Sequence, residues 1–304
     1  MSLRRLFVSC CALLLAACGP MRGTIGGDGG PGGDGSAHGD GSMPGMCAGP
    51  PGGVSTDAAA ALALENQVRT AMGVPCATMD VHANQSATLH CNYYVANQTN
   101  MSCVSNPHQE VSGCSMFVAM NFWDRMTSAG YTGQPASEDM AFMGDGAGAV
   151  QQWIDSIWHR TPILSPWTRE IGYGNTSDCD TIDFGVGEAT PDDVVATYPY
   201  AGQTGVPVDF DGRFEGPPPP PPPSGWPSGY PITVFIQGSL TEHTLTDAGG
   251  TEVPHMWIGH GAMDMGLLMQ AYVMYANAPL AAHSTYHVHV AGGSTTLDWS
   301  FTTR

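Results

Sequence analysis

The chain has 304 residues, with 9 basic and 27 acidic side chains and a formal net charge of −18 at pH 7. Every base is Arg and Lys is absent. This balance argues against nucleic-acid binding, which depends on cations that neutralise phosphate, and against a polybasic membrane-surface patch. Charged residues are only 12 % of the chain, while 40 Gly and 24 Pro imply long irregular stretches beside any packed core.

The N-terminus reads MSLRRLFVSCCALLLAAC. Arg4 and Arg5 precede a short apolar run, 6–17, well below the ~20 residues a spanning helix needs, so 1–17 is expected to be a signal peptide. Leu15-Ala16-Ala17-Cys18 resembles the lipobox of bacterial lipoproteins. That resemblance implies cleavage before Cys18, a diacylglyceryl thioether, and an acylated (palmitate-bearing) amine. Several acyl chains anchor stably where one is marginal. Cleavage would take two Arg and no acid, leaving a mature charge of −20. The absence of Asp directly after Cys18 favours, by the same resemblance, the outer membrane of the cell envelope. Residues 18–55 are mostly Gly, Pro, Ser and Asp without apolar period, a composition expected to form a flexible tether.

Six cysteines remain beyond the lipobox: Cys47, Cys76, Cys91, Cys103, Cys114 and Cys179. An even count without a CxxC pair, in an exported chain, predicts up to three disulfides from fifteen pairings. From Thr56 helical spacing begins, with Leu62, Glu65, Val68 and Met72 in register and a stop at Gly73-Val74-Pro75. Further helices are predicted over 79–97 and 115–129. A fourth carries the stripe Val150, Trp153, Ile154 and Ile157 and closes before His159. Short strands are expected over 170–174 and 180–185.

The run Phe122-Trp123-Asp124-Arg125-Met126, followed by Ala129-Gly130-Tyr131, resembles a signature of the bacterial CAP superfamily of cysteine-rich secretory, antigen-five and pathogenesis-related proteins. Trp153-Ile154-Asp155-Ser156-Ile157-Trp158-His159-Arg160, the strand Ile171-Gly172-Tyr173-Gly174, Ser137-Glu138-Asp139 and Asn106-Pro107-His108 match further motifs of that family in order. The resemblance implies a CAP (SCP) domain over 56–188, an α/β/α sandwich whose cleft gathers His108, Glu138 and His159. The family's second acid would fall on Ser156, and His90 resembles a structural histidine of a helical motif. Two imidazoles and a carboxylate can hold a divalent metal such as Zn²⁺, with His108 and His159 as ligands and an open position for water. The same three residues can equally form a hydrogen-bonded cluster that binds a polar ligand, or one inherited with the fold. The expected pKa of His159 is raised, by a helix C-terminus and by Glu138.

After about 190, β-prone runs at 205–210, 231–237, 252–258, 267–275, 285–291 and 296–303 alternate with Gly, Pro and Asp, predicting an antiparallel sandwich over 189–304. Its last hairpin, with Trp299 and Phe301 on one side, resembles bacterial Ig-like domains. Pro-only residues 217–223 are read as an exposed polyproline loop. His287 and His289 alternate in one strand and form a possible metal half-site.

The expected class is α+β: a CAP-type sandwich followed by an all-β Ig-like sandwich. The expected function is a lipid-anchored envelope protein that binds an envelope ligand (lipid, glycan or protein) or maintains the envelope, without assigned catalytic residues. A metal-dependent hydrolase built on the cleft, and an adhesive surface protein, are the alternatives.

Overall fold

The computed structural model describes residues 47–186, 194–259 and 270–304. The signal peptide, Cys18 and most of the tether lie outside them. The N-terminal half is a three-layer α/β/α unit. Helix α1 (Thr56–Ala71) is capped by Ser55, whose side chain accepts from the Ala58 amide. Strand β1 (Thr78–Met79) leads into α2 (Val81–Asn97), capped in the same way by Asp80. Then follow α3 (Phe122–Ala129), β2 (Gln134–Ala141), α4 (Gly146–Asp155), the one-turn α5 (Arg160–Leu164), β3 (Thr168–Thr176) and β4 (Cys179–Val186). The sheet order is β1-β3-β4-β2, with β1 parallel to β3 and the other pairs antiparallel.

Helix α2 lies directly on β3 because Gly172 and Gly174, two residues apart and so on one face, present no side chain to it. A Cβ on Gly172 would meet the Ala83 backbone at 2.0 Å, and one on Gly174 the Thr88 backbone at 2.2 Å. Arg69 is buried beneath the opposite layer, donating to the carbonyls of Pro75, Ile163, Ser165 and Thr168.

Three disulfides are present, Cys47–Cys76, Cys91–Cys179 and Cys103–Cys114. The first pins residue 47, so the last part of the segment read as tether is fastened to the domain. The second joins α2 to β4 through the core. The third braces the loop between α2 and α3. All six thiols are expected to resist alkylation until reductant is added, read by mass spectrometry. Cys91→Ser with Cys179→Ser should cost roughly 2–5 kcal/mol in urea unfolding; free thiols in the untreated protein would refute the first expectation, and an unchanged midpoint the second.

The C-terminal region holds two antiparallel sheets. One has the order β5-β6-β9-β8, from β5 (Ala196–Tyr198), β6 (Ile232–Phe235), β8 (His255–Ile258) and β9 (Ala271–Ala276). The other is β11-β10-β7, from β7 (Glu242–Asp247), β10 (Thr285–Gly292) and β11 (Thr295–Thr302). Trp299 and Phe301 are both buried, as their alternation requires. One connected set of buried apolar side chains runs from Ala58 in α1 to Phe301 in β11, so both halves share a core.

Several expectations need correction. The helix placed at 115–129 begins only at Phe122. Gly113 and Met116 take positive φ, and the Glu110 amide donates to the Met120 carbonyl, so the preceding segment doubles back as a loop. Residues 205–210 make only the isolated bridges Val206–Thr303 and Phe210–Ser228 instead of a strand. The polyproline run is not an exposed loop. Gly216, Pro219 and Pro222 are buried at the three-residue period of a polyproline helix, and the carbonyls of Pro217 and Pro220 accept from Trp158 and Tyr275. Strands β1, β2, β5 and β7 were not anticipated.

Candidate functional site

Strand β2 sends consecutive acids to opposite faces of the sheet. Glu138 faces the α2–α3 side. Its Oε1 accepts from His108 Nδ1 at 3.0 Å, and its Oε2 is gripped by the guanidinium of Arg125, with Asp183 beside it in register on β4. Arg125 is fully buried and also donates to the carbonyls of His108 and Met120, which ties α3 to the loop that carries His108. Burial alone would raise the Glu138 carboxyl, but Arg125, His90 and His108 outweigh it and hold it well below the usual range. Asp183, buried beside that charge, is pushed well up. His90 packs behind the group, Nδ1 at 3.0 Å from Glu110 Oε1 and Nε2 at 2.8 Å from the Pro107 carbonyl, which fixes the start of the His108 turn.

Asp139 faces the other side, toward His159. The structure corrects the sequence reading of His159 here. Helix α4 ends at Asp155, and His159 is the residue preceding α5, at the positive end of that short helix. The helix dipole therefore opposes protonation. Nor does Glu138 supply the acid, since it is spent on His108 and Arg125. Burial lowers the imidazole pKa, yet the carboxylates of Glu215 and Asp139 override both effects and push it up to about 9. Asp139, almost wholly buried, is itself pushed up to about 8 by burial, against the pull of His159.

Glu215 is the residue that sequence reasoning missed. It lies in the C-terminal region, just after the 3₁₀ turn Gly212–Phe214. Its Oε1 accepts from the Ile157 amide at 2.8 Å, and its Oε2 stands 3.5 Å from His159 Nδ1. Ser156, where the family's second acid would fall, places its hydroxyl 2.9 Å from His159 Nδ1. A carboxylate from beyond the CAP region thus faces the second histidine where Ser156 offers only a hydroxyl. No local pattern marks Glu215. The one signal was the missing acid at 156.

His108 and His159 line a single cavity of about 220 Å³. Met140, Phe142, Gln152 and Trp153 contribute to it from the CAP side, and Phe210, Phe214 and Glu215 from the C-terminal side. The seam between the halves is fastened by Arg160, which donates to the Ile154 and Pro231 carbonyls and lies over the rings of Tyr198 and Tyr230 at 4.8 and 4.9 Å. Nδ1 of His108 bonds Glu138 and Nδ1 of His159 faces the Ser156 hydroxyl, which leaves Nε2 of each ring uncommitted, but among the described residues no group of three or more His, Cys, Asp and Glu side chains is placed to hold an ion. His287 and His289 share the exposed face of β10, where His289 Nδ1 bonds Asp298 at 2.8 Å, and they line a separate shallow pocket.

Residues 62–188 match the family model described as the cysteine-rich secretory protein family, CAP. No curated protein matches the chain. Among solved structures it is similar to an extracellular protein containing an SCP domain from Bacillus anthracis, at 22 % identity with a TM-score of 0.36. That match covers 42 % of this chain and 39 % of the other, so this chain spans well under half of that structure. With Arg125 and Glu138 paired on one face of the sheet of an α/β/α scaffold and His159 on the other, residues 62–188 carry the match to a CAP domain of the cysteine-rich secretory protein family.

Proposed function

We propose that this chain is an exported, envelope-bound protein whose CAP cleft binds a small ligand without chemically transforming it. The observation that carries the reading is the cavity at the seam, with His108 and His159 on its wall and Glu215 from outside the CAP domain facing His159. Such a mixed apolar and polar concavity at a junction between regions is the usual setting of a ligand site. A volume near 220 Å³ restricts the occupant to a small molecule or the end of a larger one. A hydrolase on this cleft would need an activated nucleophile, such as water on a metal held by His108 and His159. An NMR fragment screen on the mature chain tests the reading. Hits are expected to perturb the cavity-lining residues and to weaken at least fivefold in His108→Ala. If no hit maps to the cavity, the reading fails.

The three disulfides require an oxidising compartment, and among the described residues no helix is long and apolar enough to cross a membrane. Covalent lipid on Cys18 is the attachment that the lipobox-like Leu15–Cys18 run supports, with the outer membrane as destination and an Ig-like module in the C-terminal sheets. Cys18→Ser is expected to move the folded, processed protein from the membrane to the soluble fraction. Continued sedimentation of that variant with membranes would rule out the anchor.

A further inference from the structure

The charges around the cavity do not cancel. Three carboxylates line it, Asp155, Asp211 and Glu215, and no Lys or Arg does. Glu215 is opposed by His159, and Asp211 by the exposed Arg213, whose Nε lies 2.9 Å from it. Asp155 has no cationic partner among the described residues. Its oxygens are held by two neutral donors, the Tyr230 hydroxyl at 2.6 Å and the Gln151 amide at 3.1 Å. Neutral donors orient a carboxylate without cancelling its charge, which leaves a preorganised anion on the cavity wall.

A further observation points to a ligand that donates. The amide oxygen of Gln152 is buried without a partner, and Gln152 lines the cavity beside Glu215, whose Oε2 is already faced by His159. A buried acceptor left unsatisfied favours an occupant that is a cation or carries N–H or O–H groups. The apolar walls are largely aromatic, and Phe214 at the cavity is 58 % exposed, unusual for a large apolar ring. Ring faces beside an uncompensated carboxylate are the surroundings that hold ammonium groups. The net charge of −18 raises the local concentration of cations further.

We infer that the cleft takes a small organic ammonium ion, paired with Asp155 and walled by Phe210 and Phe214. The inference rests on the cleft being a binding site. Three probes of nearly the same shape test it by NMR titration: choline, its uncharged carbon isostere 3,3-dimethylbutan-1-ol, and the anion 3,3-dimethylbutanoate. Choline is expected to bind at least tenfold more tightly than the alcohol, and the anion more weakly still. Asp155→Asn, which keeps shape and an acceptor for Tyr230, should weaken choline at least tenfold and leave the alcohol unchanged. Phe214→Ala, at an exposed position, should weaken choline and alcohol together. If the alcohol or the anion matches choline while still perturbing the cavity residues, the cationic preference is overturned and the binding site stands. If none of the three perturbs the cavity, the ammonium assignment falls, and the fragment screen decides the site by itself.

Discussion

Arg125→Met is expected to destabilise the protein by about 3–5 kcal/mol, the usual cost of leaving a buried charge without its partner. Arg125 and Glu138 are both buried, and the guanidinium is the largest influence holding the carboxylate ionised against burial. Removing it leaves Glu138 beside Asp183 with only His90 and His108 to oppose its charge, and it also strips donors from the carbonyls of His108 and Met120. The loop that carries His108 should loosen with it. Arg125→Met combined with Glu138→Gln should cost less than Arg125→Met alone, because the stranded charge is gone. Urea unfolding of the four proteins in the cycle measures this. A loss below about 1 kcal/mol in the single variant would mean that water enters the cluster and that the pair is not the structural centre of the site.

Stability should be greatest on the acidic side of neutrality and fall as pH rises toward 9. Glu65, Asp139, Asp180, Asp183 and His159, all buried, push the same way. Glu65 is raised by burial from 4.5 to about 8, only partly opposed by Arg69, and Asp139 is raised from 3.8 to about 8. A carboxyl whose folded pKa is raised binds a proton in the folded state that the unfolded chain has released. Stability therefore drops across the interval from about 4 to 8 and levels off above it. His159, raised from 6.5 to about 9, contributes stability that is complete below 6.5 and lost as pH rises through 9. Glu138 and Glu215, both held below their ordinary values, act oppositely, and their contribution disappears only as pH falls through those lowered values. The midpoint of thermal unfolding should therefore fall by at least ~4 °C between about pH 5.5 and 9, a shift corresponding to roughly 1–2 kcal/mol. Glu65→Gln should flatten the part of the profile below 8, and His159→Gln the part between 6.5 and 9. Calorimetry at fixed ionic strength checks both. A midpoint that rises toward pH 9 would show that the two carboxyls are ionised in the folded protein.

The CAP half was legible because its local chemistry is repetitive and directional. Apolar spacing marks α1, α2 and α4, and the run Ile171-Gly172-Tyr173-Gly174 marks β3. His108, Glu138, His159 and Arg125 could be named because each sits in a recognisable run of neighbours. The even cysteine count announced disulfides, but no spacing could pair them, since pairing depends on which loops meet in space. Strand β2 escaped notice because Pro135 and the polar run Ser137-Glu138-Asp139 do not look like a strand. Its acids are tolerated there only because Arg125 and His159 wait on opposite faces of the sheet.

What only the tertiary structure decided is which acid serves which histidine. From sequence, Glu138 was a shared carboxylate and His159 sat at a helix C-terminus. In the fold, β2 alternation dedicates Glu138 to His108, and the interruption of the helix between α4 and α5 turns His159 toward a residue more than fifty positions later. Glu215 carries no local signal, because its role arises from the docking of a C-terminal turn onto the CAP cleft. The polyproline run is the same lesson in backbone form. Its composition dictates an extended helix of three residues per turn, while the neighbouring Trp158 and Tyr275 determine that one face of it is buried. Composition and period determine local conformation; long-range packing determines which buried charges must pair, because the cost of an unpaired one is set by surroundings drawn from distant parts of the chain.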